Sequence, residues 1–320
     1  MILIKSIDRD ISTDHVIKWL IHYNADFLRL NNTTEIETIR FIDDNFIIHL
    51  KNGKEIRLSD IDSYWYRRGN YKDNWENTLT GIEEFDRTYT DYLYGENKSL
   101  GDFLINHLKE YTKCIGDSDS CLDVNKHIIL TQAKKLGLKT PEFIITHDKR
   151  DVIKFRSIYK DIITKPLHTS FIYGTDDYWL PTYTEQITDE ILELFPDKFK
   201  PTLFQRNISK KYEIRSFYLN GEFYSMAIFS QNDEQTKTDF RIYNEHVPNR
   251  NVPFKLPESV EQKLKNLMEK AGFESGSIDI IYSTDREFYF LEVNPIGHFG
   301  MVSYPCNYHL EKKIAQSLTS

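Results

Sequence analysis

Two short apolar runs near the C-terminal end constrain the fold most, because each carries an acidic residue inside a strand-like pattern. They read SIDIIYS and FYFLEVN, and a short polar segment separates them. Residues two apart in a strand share a face, so Glu292 and Asn294 should point the same way. If Asp285 and Arg286 form a two-residue turn, Asp279 lies directly across from Glu292, with Cβ atoms about 4.5–5.5 Å apart. The pattern therefore predicts a hairpin that gathers two carboxylates and one amide oxygen.

This oxygen-rich group is typical of a cation site. Two carboxylates at that spacing repel each other, which is understandable if a cation lies between them. Hard oxygen donors without His or Cys suit Mg²⁺, which commonly uses one or two carboxylates together with substrate phosphates. The alternative is a solvated acidic face, but a carboxylate embedded in an apolar strand is costly when it has no function. We therefore predict Asp279, Glu292 and Asn294 as Mg²⁺ ligands.

Composition narrows the function classes. The 320 residues are 40% apolar, which is enough for two or three domains with real cores. The net charge of −8 argues against a nucleic-acid partner, since such proteins carry a basic surface, but it leaves room for a phosphate ligand. The sequence has no uninterrupted apolar run near the ~18 residues of a membrane span, so we expect no membrane partner. Three cysteines are too few for a disulfide framework and fit the reducing cytoplasm.

The rest of the chain alternates between strand-like and helix-like segments, which is typical of an α/β (α+β) protein. Two Asn-Gly pairs, at 52–53 and 220–221, lie between strand-like runs and predict hairpins, because both residue types tolerate the positive φ angles of a type I′ turn. Apolar residues at helical spacing predict helices at 16–21 and at 258–271, and Gly272 should end the second.

The middle of the chain supplies the block boundaries. Residues 81–111 predict two helices, with the polar run at 95–99 breaking them. Asp123 is expected to cap a helix at 124–136 that Gly137 ends. The Gly, Asp and Ser residues at 116–120 are typical of a loop and indicate a boundary between two blocks. The pattern predicts three blocks, 1–120, 121–203 and 204–320.

Several landmarks, spanning residues 64–295, together resemble the ATP-grasp superfamily. They are YWYRRG at 64–69, Asn125-Lys126 at the start of a helix, ITKP at 163–166, the run from FQRNI at 204–208 to DFR at 239–241, and the acidic hairpin. Their order and spacing resemble the peptide-modifying branch, the graspetide synthetases, and within it most of all the peptide maturases of grasp-with-SPASM systems.

The resemblance implies an ATP-grasp fold with an N-terminal pre-ATP-grasp domain, a central domain and a C-terminal ATP-grasp domain. It implies an ATP- and Mg²⁺-dependent ligase that phosphorylates Asp or Glu side chains of a ribosomal precursor peptide. The activated carboxyl then condenses with Ser or Thr hydroxyls or Lys amines to give macrocyclic esters or amides. The partners implied are the leader and core of that peptide and a second copy of the chain in a homodimer.

The same resemblance assigns roles to individual residues. It implies that Lys126 and Lys165 contact ATP, and that Glu213 contacts the ribose. It implies that Arg215 and Arg241 stabilise the transferring phosphate and a tetrahedral intermediate, for which the donor fork of guanidinium is suited. Hinge residues would offer groups to adenine: Gln205, Arg206, Asn207 and Ile208. Ordinary surface positions are the alternatives for Lys126, Lys165 and Glu213. For Arg241 the alternative is a surface salt bridge with Asp239.

The sequence departs from the pattern in one place and leaves two other functions open. Many relatives carry a glycine-rich loop over the triphosphate, whereas residues 167–184 contain one glycine, Gly174. An ATP-grasp ligase of free amino acids or protein C-termini, similar to glutathione synthetase or to glutamate-adding enzymes, would use the same nucleotide site. A non-catalytic nucleotide-binding scaffold is the other alternative. Of Arg67 and Arg68, strand alternation predicts that only one faces the cleft.

Overall fold

The structure is a computed structural model of the chain. It describes residues 1–69, 80–116, 121, 124–167, 172–174, 179–181, 184–229 and 249–320. Asp123 and Arg241, which the sequence analysis singled out, lie outside the described residues, as does most of the segment 167–184.

The described strands, in chain order, are β1 (Ile2–Lys5), β2 (Phe27–Leu30), β3 (Ile36–Ile42), β4 (Asn45–Leu50), β5 (Glu55–Arg57), β6 (Ser63–Tyr66), β7 (Lys113–Ile115), β8 (Phe143–Asp148), β9 (Ile162–Lys165), β10 (Ile172–Gly174), β11 (Trp179–Pro181), β12 (Glu185–Gln186), β13 (Lys198–Arg206), β14 (Lys210–Leu219), β15 (Glu222–Phe229), β16 (Arg250–Phe254), β17 (Ser275–Ser283) and β18 (Phe288–Asn294). The described helices are α1 (Ile11–His22), α2 (Glu83–Tyr111), α3 (Lys126–Lys135), α4 (Lys149–Tyr159), α5 (Asp189–Leu194), α6 (Glu258–Ala271), α7 (Gly300–Cys306) and α8 (Leu310–Thr319).

The N-terminal block is built on a four-stranded parallel sheet in the order β2-β1-β6-β7. Strands β1 and β6 are buried along their whole length, as expected for parallel strands covered on both faces. The carboxyl ends of β1 and β6 are neighbours, so the segments that follow these two strands meet at one edge of the sheet. A three-stranded antiparallel sheet, β3-β4-β5, adds a second layer and contains the predicted Asn-Gly hairpin at 52–53.

Helix α2 corrects one prediction. It runs unbroken for 29 residues, whereas the sequence analysis expected a break at 95–99. Most polar residues of that stretch are exposed on a helix surface, and Gly95 lowers helix propensity without ending the helix. Among the described residues of α2, the buried ones are Leu104, Ile105 and Leu108, all in its second half.

The central block contains a four-stranded sheet in the order β12-β9-β13-β8, with β13 paired antiparallel to both β9 and β8. Helix α4 packs on it around a small core that includes Val152, Phe155 and Phe204. Helix α3 precedes this sheet and corrects a second prediction. It starts at Lys126, because Asn125 caps it, and not at residue 124. Strand β13 runs through the expected boundary at 203/204, and the block boundaries remain predictions.

The C-terminal block is a five-stranded antiparallel sheet in the order β16-β15-β14-β17-β18. The second Asn-Gly pair forms the tight β14–β15 turn as predicted, with φ of 46° at Asn220 and 97° at Gly221. One face of this sheet packs on α3 and α6 through a core that includes Ile214, Ile280 and Val293. Helix α6 matches the predicted 258–271 and ends at Gly272 in the left-handed conformation.

The opposite face of that sheet has two parts. Near one end, Phe217 and Leu219 join an apolar core with β1, α1 and the C-terminal helices. Helix α8 lies against α1 and so ties the end of the chain to the N-terminal block. The remaining part carries the charged residues described next. None of the helices in the described residues is long and apolar enough to cross a membrane.

Candidate active site

The five-stranded sheet carries a row of charged residues across three neighbouring strands. Arg215 on β14 lies opposite Asp279 on β17, and Asp279 lies opposite Glu292 on β18. Directly opposed residues of antiparallel strands share a face, so the guanidinium and both carboxylates point to the same side. Their strand neighbours Ile280 and Val293 belong to the apolar core on the other face. The predicted pairing of Asp279 with Glu292 is confirmed.

The predicted two-residue turn at Asp285 and Arg286 is wrong, although the pairing that it predicted is present. Ser283 and Glu287 close a longer turn in which Arg286 has a φ of 64°. That turn alone would place Asp279 opposite Leu291. A bulge next to Asp279 adds one residue on β18 and moves Glu292 into register. The bulge therefore places the two carboxylates opposite each other, and no residue type in the sequence predicts the bulge.

Each carboxylate of the row is neutralised by a cation. Arg215 Nη1 lies 2.9 and 3.0 Å from the two carboxylate oxygens of Asp279. Lys126 Nζ lies 2.9 Å from Glu292 Oε2. The Arg215–Asp279 pair is largely enclosed, with side chains 10% and 18% exposed, whereas Lys126 is 45% exposed. If a divalent metal bound the two carboxylates, Arg215 and Lys126 would lose these partners and could contact phosphate oxygens.

Helix α3 positions Lys126, which is its first residue. The side chain of Asn125 caps the helix by accepting hydrogen bonds from the backbone N–H groups of His127 and Ile128 at 3.1 and 3.2 Å. His127 Nε2 donates to the carbonyl of Leu167 at 3.1 Å, next to the end of β9. Burial lowers the pKa of His127, and the charges of Lys165 and Lys126 act in the same direction. The charges of both predicted lysines therefore act on one imidazole.

Asn294 ends the metal-binding strand that the sequence predicts. It lies two residues beyond Glu292, so strand alternation places its side chain on the same face, and it is exposed. Its side-chain oxygen accepts a hydrogen bond from the backbone N–H of Ile296 at 3.1 Å. This contact fixes the orientation of the amide while one lone pair of the oxygen stays available.

The donor set fits Mg²⁺. Two carboxylates and an amide oxygen converge on one face, and the remaining positions of an octahedron suit phosphate and water oxygens. The described residues contain no cluster of three or more His, Cys, Asp or Glu side chains that could hold a metal ion, and this set contributes two carboxylates beside the amide. Asp279, Glu292 and Asn294 would hold the ion, and their role remains a prediction.

An apolar cluster adjoins the charged row. It consists of Ile208 in the hinge, Ile281 on β17, and Tyr289 and Leu291 on β18. Glu213 lies opposite Ile281 on the same face, is 8% exposed and pairs with Lys210. An apolar surface beside a carboxylate could bind a planar base and a ribose hydroxyl.

The remaining hinge residues are held by the central block. Gln205 lies inside the sheet, between Phe143 on β8 and Ile163 on β9. The side chain of Arg206 forms an ion pair with Glu142 at 3.3 Å. The side chain of Asn207 donates to Asp161 at 2.9 Å. These side chains anchor the hinge, and contacts of 205–208 to adenine remain predictions.

The two arginines that follow β6 differ in burial, and the expectation that only one of them faces the cleft stays a prediction. Arg67 is 4% exposed. Arg68 is half-buried, and its Nη2 donates to His298 Nε2 at 3.1 Å. Burial, together with the charges of Arg67 and Arg68, lowers the pKa of His298, which favours the neutral imidazole that this hydrogen bond requires. Arg68 is therefore the arginine with access to solvent.

Sequence reasoning missed parts of this site. The sequence could have indicated His127 and Lys210, because His127 follows Lys126 directly and Lys210 lies three residues before Glu213. Leu291 gave none, since its position depends on the bulge. Arg241 lies outside the described residues, and its role stays a prediction.

Comparisons with known proteins complete these observations. No family model and no curated protein matches the sequence. Among solved structures, a RiPP-associated ATP-grasp ligase from Chryseobacterium gregarium, in complex with ADP and a leader and core peptide, is 25% identical with a TM-score of 0.80; the match covers 99% of this chain and 94% of that one. The macrocyclase MdnC from Microcystis aeruginosa MRC, bound with its precursor peptide MdnA, is 24% identical with a TM-score of 0.77 and 99% coverage of both chains.

A third structure extends the likeness to a more distant protein. The ATP-grasp ligase PsnB, complexed with a minimal precursor, Mg and ADP, is 15% identical with a TM-score of 0.73, covering 99% of this chain and 97% of that one. These matches span nearly the whole chain, so they include the N-terminal, central and C-terminal sheets alike. They confirm the α/β fold class and the resemblance expected from the sequence: this chain has the fold of the peptide-modifying ATP-grasp ligases.

Proposed function

We propose that this protein is an ATP-dependent ligase that condenses Asp or Glu side chains of a ribosomal precursor peptide with Ser or Thr hydroxyls or Lys amines. The observation that carries the proposal is the row of Arg215, Asp279 and Glu292, with Lys126 beside it, on one face of the C-terminal sheet. The likeness to a ligase that holds ADP together with a leader and core peptide supports this choice of substrate.

The chemistry explains why ATP is required. A carboxylate is a poor electrophile, and hydroxide is a poor leaving group. A carboxylate oxygen attacks the γ-phosphorus of ATP, ADP leaves, and an acyl phosphate forms. The hydroxyl or amine then attacks the acyl carbon, loses its proton, and phosphate departs with the former carboxylate oxygen. The peptide loses one water for each ester or amide formed.

The residues of the row divide this task. Mg²⁺, when bound, would neutralise the charge that develops on the phosphates. Asp279, Glu292 and Asn294 would hold it, which frees Arg215 and Lys126 from their carboxylate partners. Arg215 would then bind the transferring phosphate with its donor fork.

Nucleotide binding would use the neighbouring residues. Lys165, at the end of β9, would contact phosphate oxygens as a compact charge with three donors. The apolar cluster of Ile208, Ile281, Tyr289 and Leu291 would contact the base, and Glu213 the ribose. Arg241 would join Arg215 in stabilising the departing phosphate. Preorganised positive charge of this kind is a major source of rate enhancement in phosphoryl transfer.

The precursor peptide needs a surface of its own, away from the nucleotide. Within the described part of the central block, strand β8 is an edge strand of the sheet and is paired on one side, with β13. Ile145 on β8 is 47% exposed. An extended peptide segment could add to such an edge through backbone hydrogen bonds. We place leader binding in this central block. The three cysteines are thiols and not disulfides, which fits a reducing compartment, and we place the enzyme in the cytoplasm.

A second copy of the chain is the other partner we propose. The first half of α2 carries an exposed aromatic stripe of Phe85, Tyr89 and Tyr92, which are 53%, 37% and 58% exposed. Their rings stack at 5.9 and 6.4 Å between centroids. A helix of this kind gains its stability from packing of one face, and the same stripe on a symmetric copy would supply it.

The proposal is tested by intact-mass measurement of a precursor peptide. The peptide is chosen from a short open reading frame beside the gene that carries Thr or Ser together with Asp or Glu. Incubation with the enzyme, ATP and Mg²⁺ should remove one water mass for each condensation, with one ADP formed per water lost. ATP turnover that depends on free amino acids, with the peptide unchanged, would refute the peptide as substrate.

A further inference from the structure

The turn that follows the metal-binding strand is built around Asn294. The side-chain oxygen of Asn294 accepts from the backbone N–H of Ile296, and its carbonyl accepts from the N–H of Gly297 at 2.9 Å. A Cβ at Gly297 would lie 2.2 Å from Ser277 Oγ and 2.9 Å from the Asn294 carbonyl, so this position requires glycine. The orientation of the amide is therefore coupled to the position of residues 295–297, which we call the 295–297 turn.

A buried arginine from the N-terminal block holds this turn. Arg67 Nη1 donates to the carbonyl of Ile296 at 2.6 Å and approaches that of Gly297 at 3.4 Å. Its guanidinium also lies 5.7 Å from the centre of the Phe299 ring. These contacts join residues more than 220 positions apart in the chain. Within the described residues, Arg67 thus links the N-terminal sheet directly to the turn that orients Asn294.

Arg67 is itself held on the N-terminal side. It follows β6 directly, and its backbone N–H donates to the carbonyl of Lys5 at 2.8 Å. Its Nε lies 3.3 Å from Asp10 Oδ2, and the two side chains are 4% and 5% exposed. Asp10 caps α1 through the N–H of Ser12. Burial lowers the pKa of Arg67 to about 10, so the guanidinium remains charged at neutral pH.

We propose that Arg67 is a positioning residue for the metal site: held by Asp10, it fixes the 295–297 turn and thereby aims the amide oxygen of Asn294 at the cation. The inference rests on the proposed function, because it assumes that Asp279, Glu292 and Asn294 bind Mg²⁺. It adds a contribution from the N-terminal block to a site whose direct ligands all come from the C-terminal block.

The chemistry of the contact explains the choice of arginine. Two carbonyls lie beside Nη1 and one carboxylate lies beside Nε, and the planar guanidinium can face all three because its nitrogens point in different directions. A lysine keeps the charge but offers a compact ammonium that cannot reach the same set. Partners that orient metal ligands typically change metal affinity by about 10–100-fold when they are replaced. Arg67→Lys should therefore weaken metal binding by about 10-fold or more.

The experiment measures Mn²⁺ binding to the full chain in the presence of ADP, by electron paramagnetic resonance. Wild type is compared with Arg67→Lys and with the control Arg29→Lys. Arg29 is a good match because it pairs with Asp14 and donates to the carbonyl of Ile7 at 2.6 Å, in the same block. The expected result is weaker Mn²⁺ binding for Arg67→Lys and unchanged binding for Arg29→Lys. If Arg67→Lys does not fold, the double variant Arg67→Met with Asp10→Asn replaces it, because it leaves no unpaired buried charge and Asn can still cap α1.

A double-mutant comparison separates positioning from a general loss of structure. If Arg67 acts through Asn294, Arg67→Lys should have little further effect on Mn²⁺ affinity in an Asn294→Ala background. In the metal-free proteins, hydrogen exchange at the amides of Ile296 and Gly297 should also be faster in the single variant Arg67→Lys than in wild type. Unchanged Mn²⁺ affinity in Arg67→Lys, or the same loss with and without Asn294, overturns the inference.

These measurements use no peptide, so they are independent of the substrate. A wild-type protein that binds Mn²⁺·ADP but leaves every precursor unchanged would count against the proposed function and leave the positioning role standing. A wild-type protein that modifies the precursor, while Arg67→Lys binds Mn²⁺ as tightly as wild type, would leave the function standing and remove the role of Arg67.

Discussion

Replacing Glu292 with Gln separates catalysis from stability, because the geometry of its ion pair limits the structural cost. Lys126 is 45% exposed and Glu292 is 22% exposed. A pair this accessible contributes about 0.2–1 kcal/mol, and the lysine that loses its partner remains hydrated. The substitution also removes the repulsion between Glu292 and Asp279. Unfolding stability of the metal-free protein should therefore change by no more than about 1 kcal/mol.

Asp279→Asn would be a poorer probe of the same site. It leaves Arg215, which is 10% exposed, without the carboxylate that lies 2.9 Å away. Breaking an enclosed ion pair by removing one partner costs about 3–5 kcal/mol, because a buried charge loses its compensation. Loss of activity in that variant would be difficult to distinguish from loss of fold.

The effect of Glu292→Gln on activity should be much larger than its effect on stability. Even residues that only orient a metal ligand change activity by about 10–100-fold, so loss of a ligand should reduce peptide dehydration by about 100-fold or more. Glu261→Gln is the matched control, because Glu261 is 15% exposed and pairs with Lys255 at 2.7 Å, in the same block but on α6. It should keep full activity.

The assay combines thermal unfolding with mass spectrometry of the precursor. A stability change of 1 kcal/mol corresponds to roughly 2–4 °C in the midpoint for a domain of 150–250 residues, so both variants should stay within a few degrees of wild type. Glu292→Gln with wild-type dehydration would refute the metal assignment. A fall in midpoint well beyond that range would refute the account of the ion pair.

Three further predictions concern the nucleotide site and the dimer. Lys165→Ala should chiefly raise the KM for ATP, and Arg241→Ala should lower kcat and kcat/KM together; kinetics with the reverse pattern would contradict the assigned roles. The pKa of His127 should lie below the usual value of histidine in the free protein, chiefly because of burial, and should rise when ADP binds, since phosphate offsets the charges of Lys165 and Lys126 that also lower it; an NMR titration with a falling or unchanged pKa would argue against phosphate binding there. Tyr89→Asp should convert a dimer to a monomer in light scattering, and a monomeric wild type would contradict the proposed interface.

Local chemistry made much of the fold predictable. The Asn-Gly hairpins, the helix at 258–271 and its end at Gly272 depend on residues whose backbone preferences act within a few positions. Alternation along the predicted strand was enough to place Glu292 and Asn294 on one face. These features were predictable from the sequence because the residue types and the local backbone favour the same structure.

The remaining parts depend on contacts that sequence spacing does not encode. The break expected within α2 is missing, because exposed polar residues and one glycine lower helix propensity without ending a helix. The bulge at Leu291 changes the register by one residue and is set by how the turn and the strands pack together. The contact of Arg67 with Ile296 joins distant parts of the chain, and only the fold brings them together.

The central claim is that the site activates a carboxylate by transferring phosphate to it. The most direct measurement follows a heavy oxygen isotope placed in the Asp and Glu carboxylates of the precursor peptide. Wild type with ATP and Mg²⁺ should release one labelled oxygen into inorganic phosphate for every ester or amide formed, because the acyl phosphate breaks with the carboxylate oxygen on phosphorus. Label that leaves as water, or that stays wholly in the condensed peptide, would contradict the account.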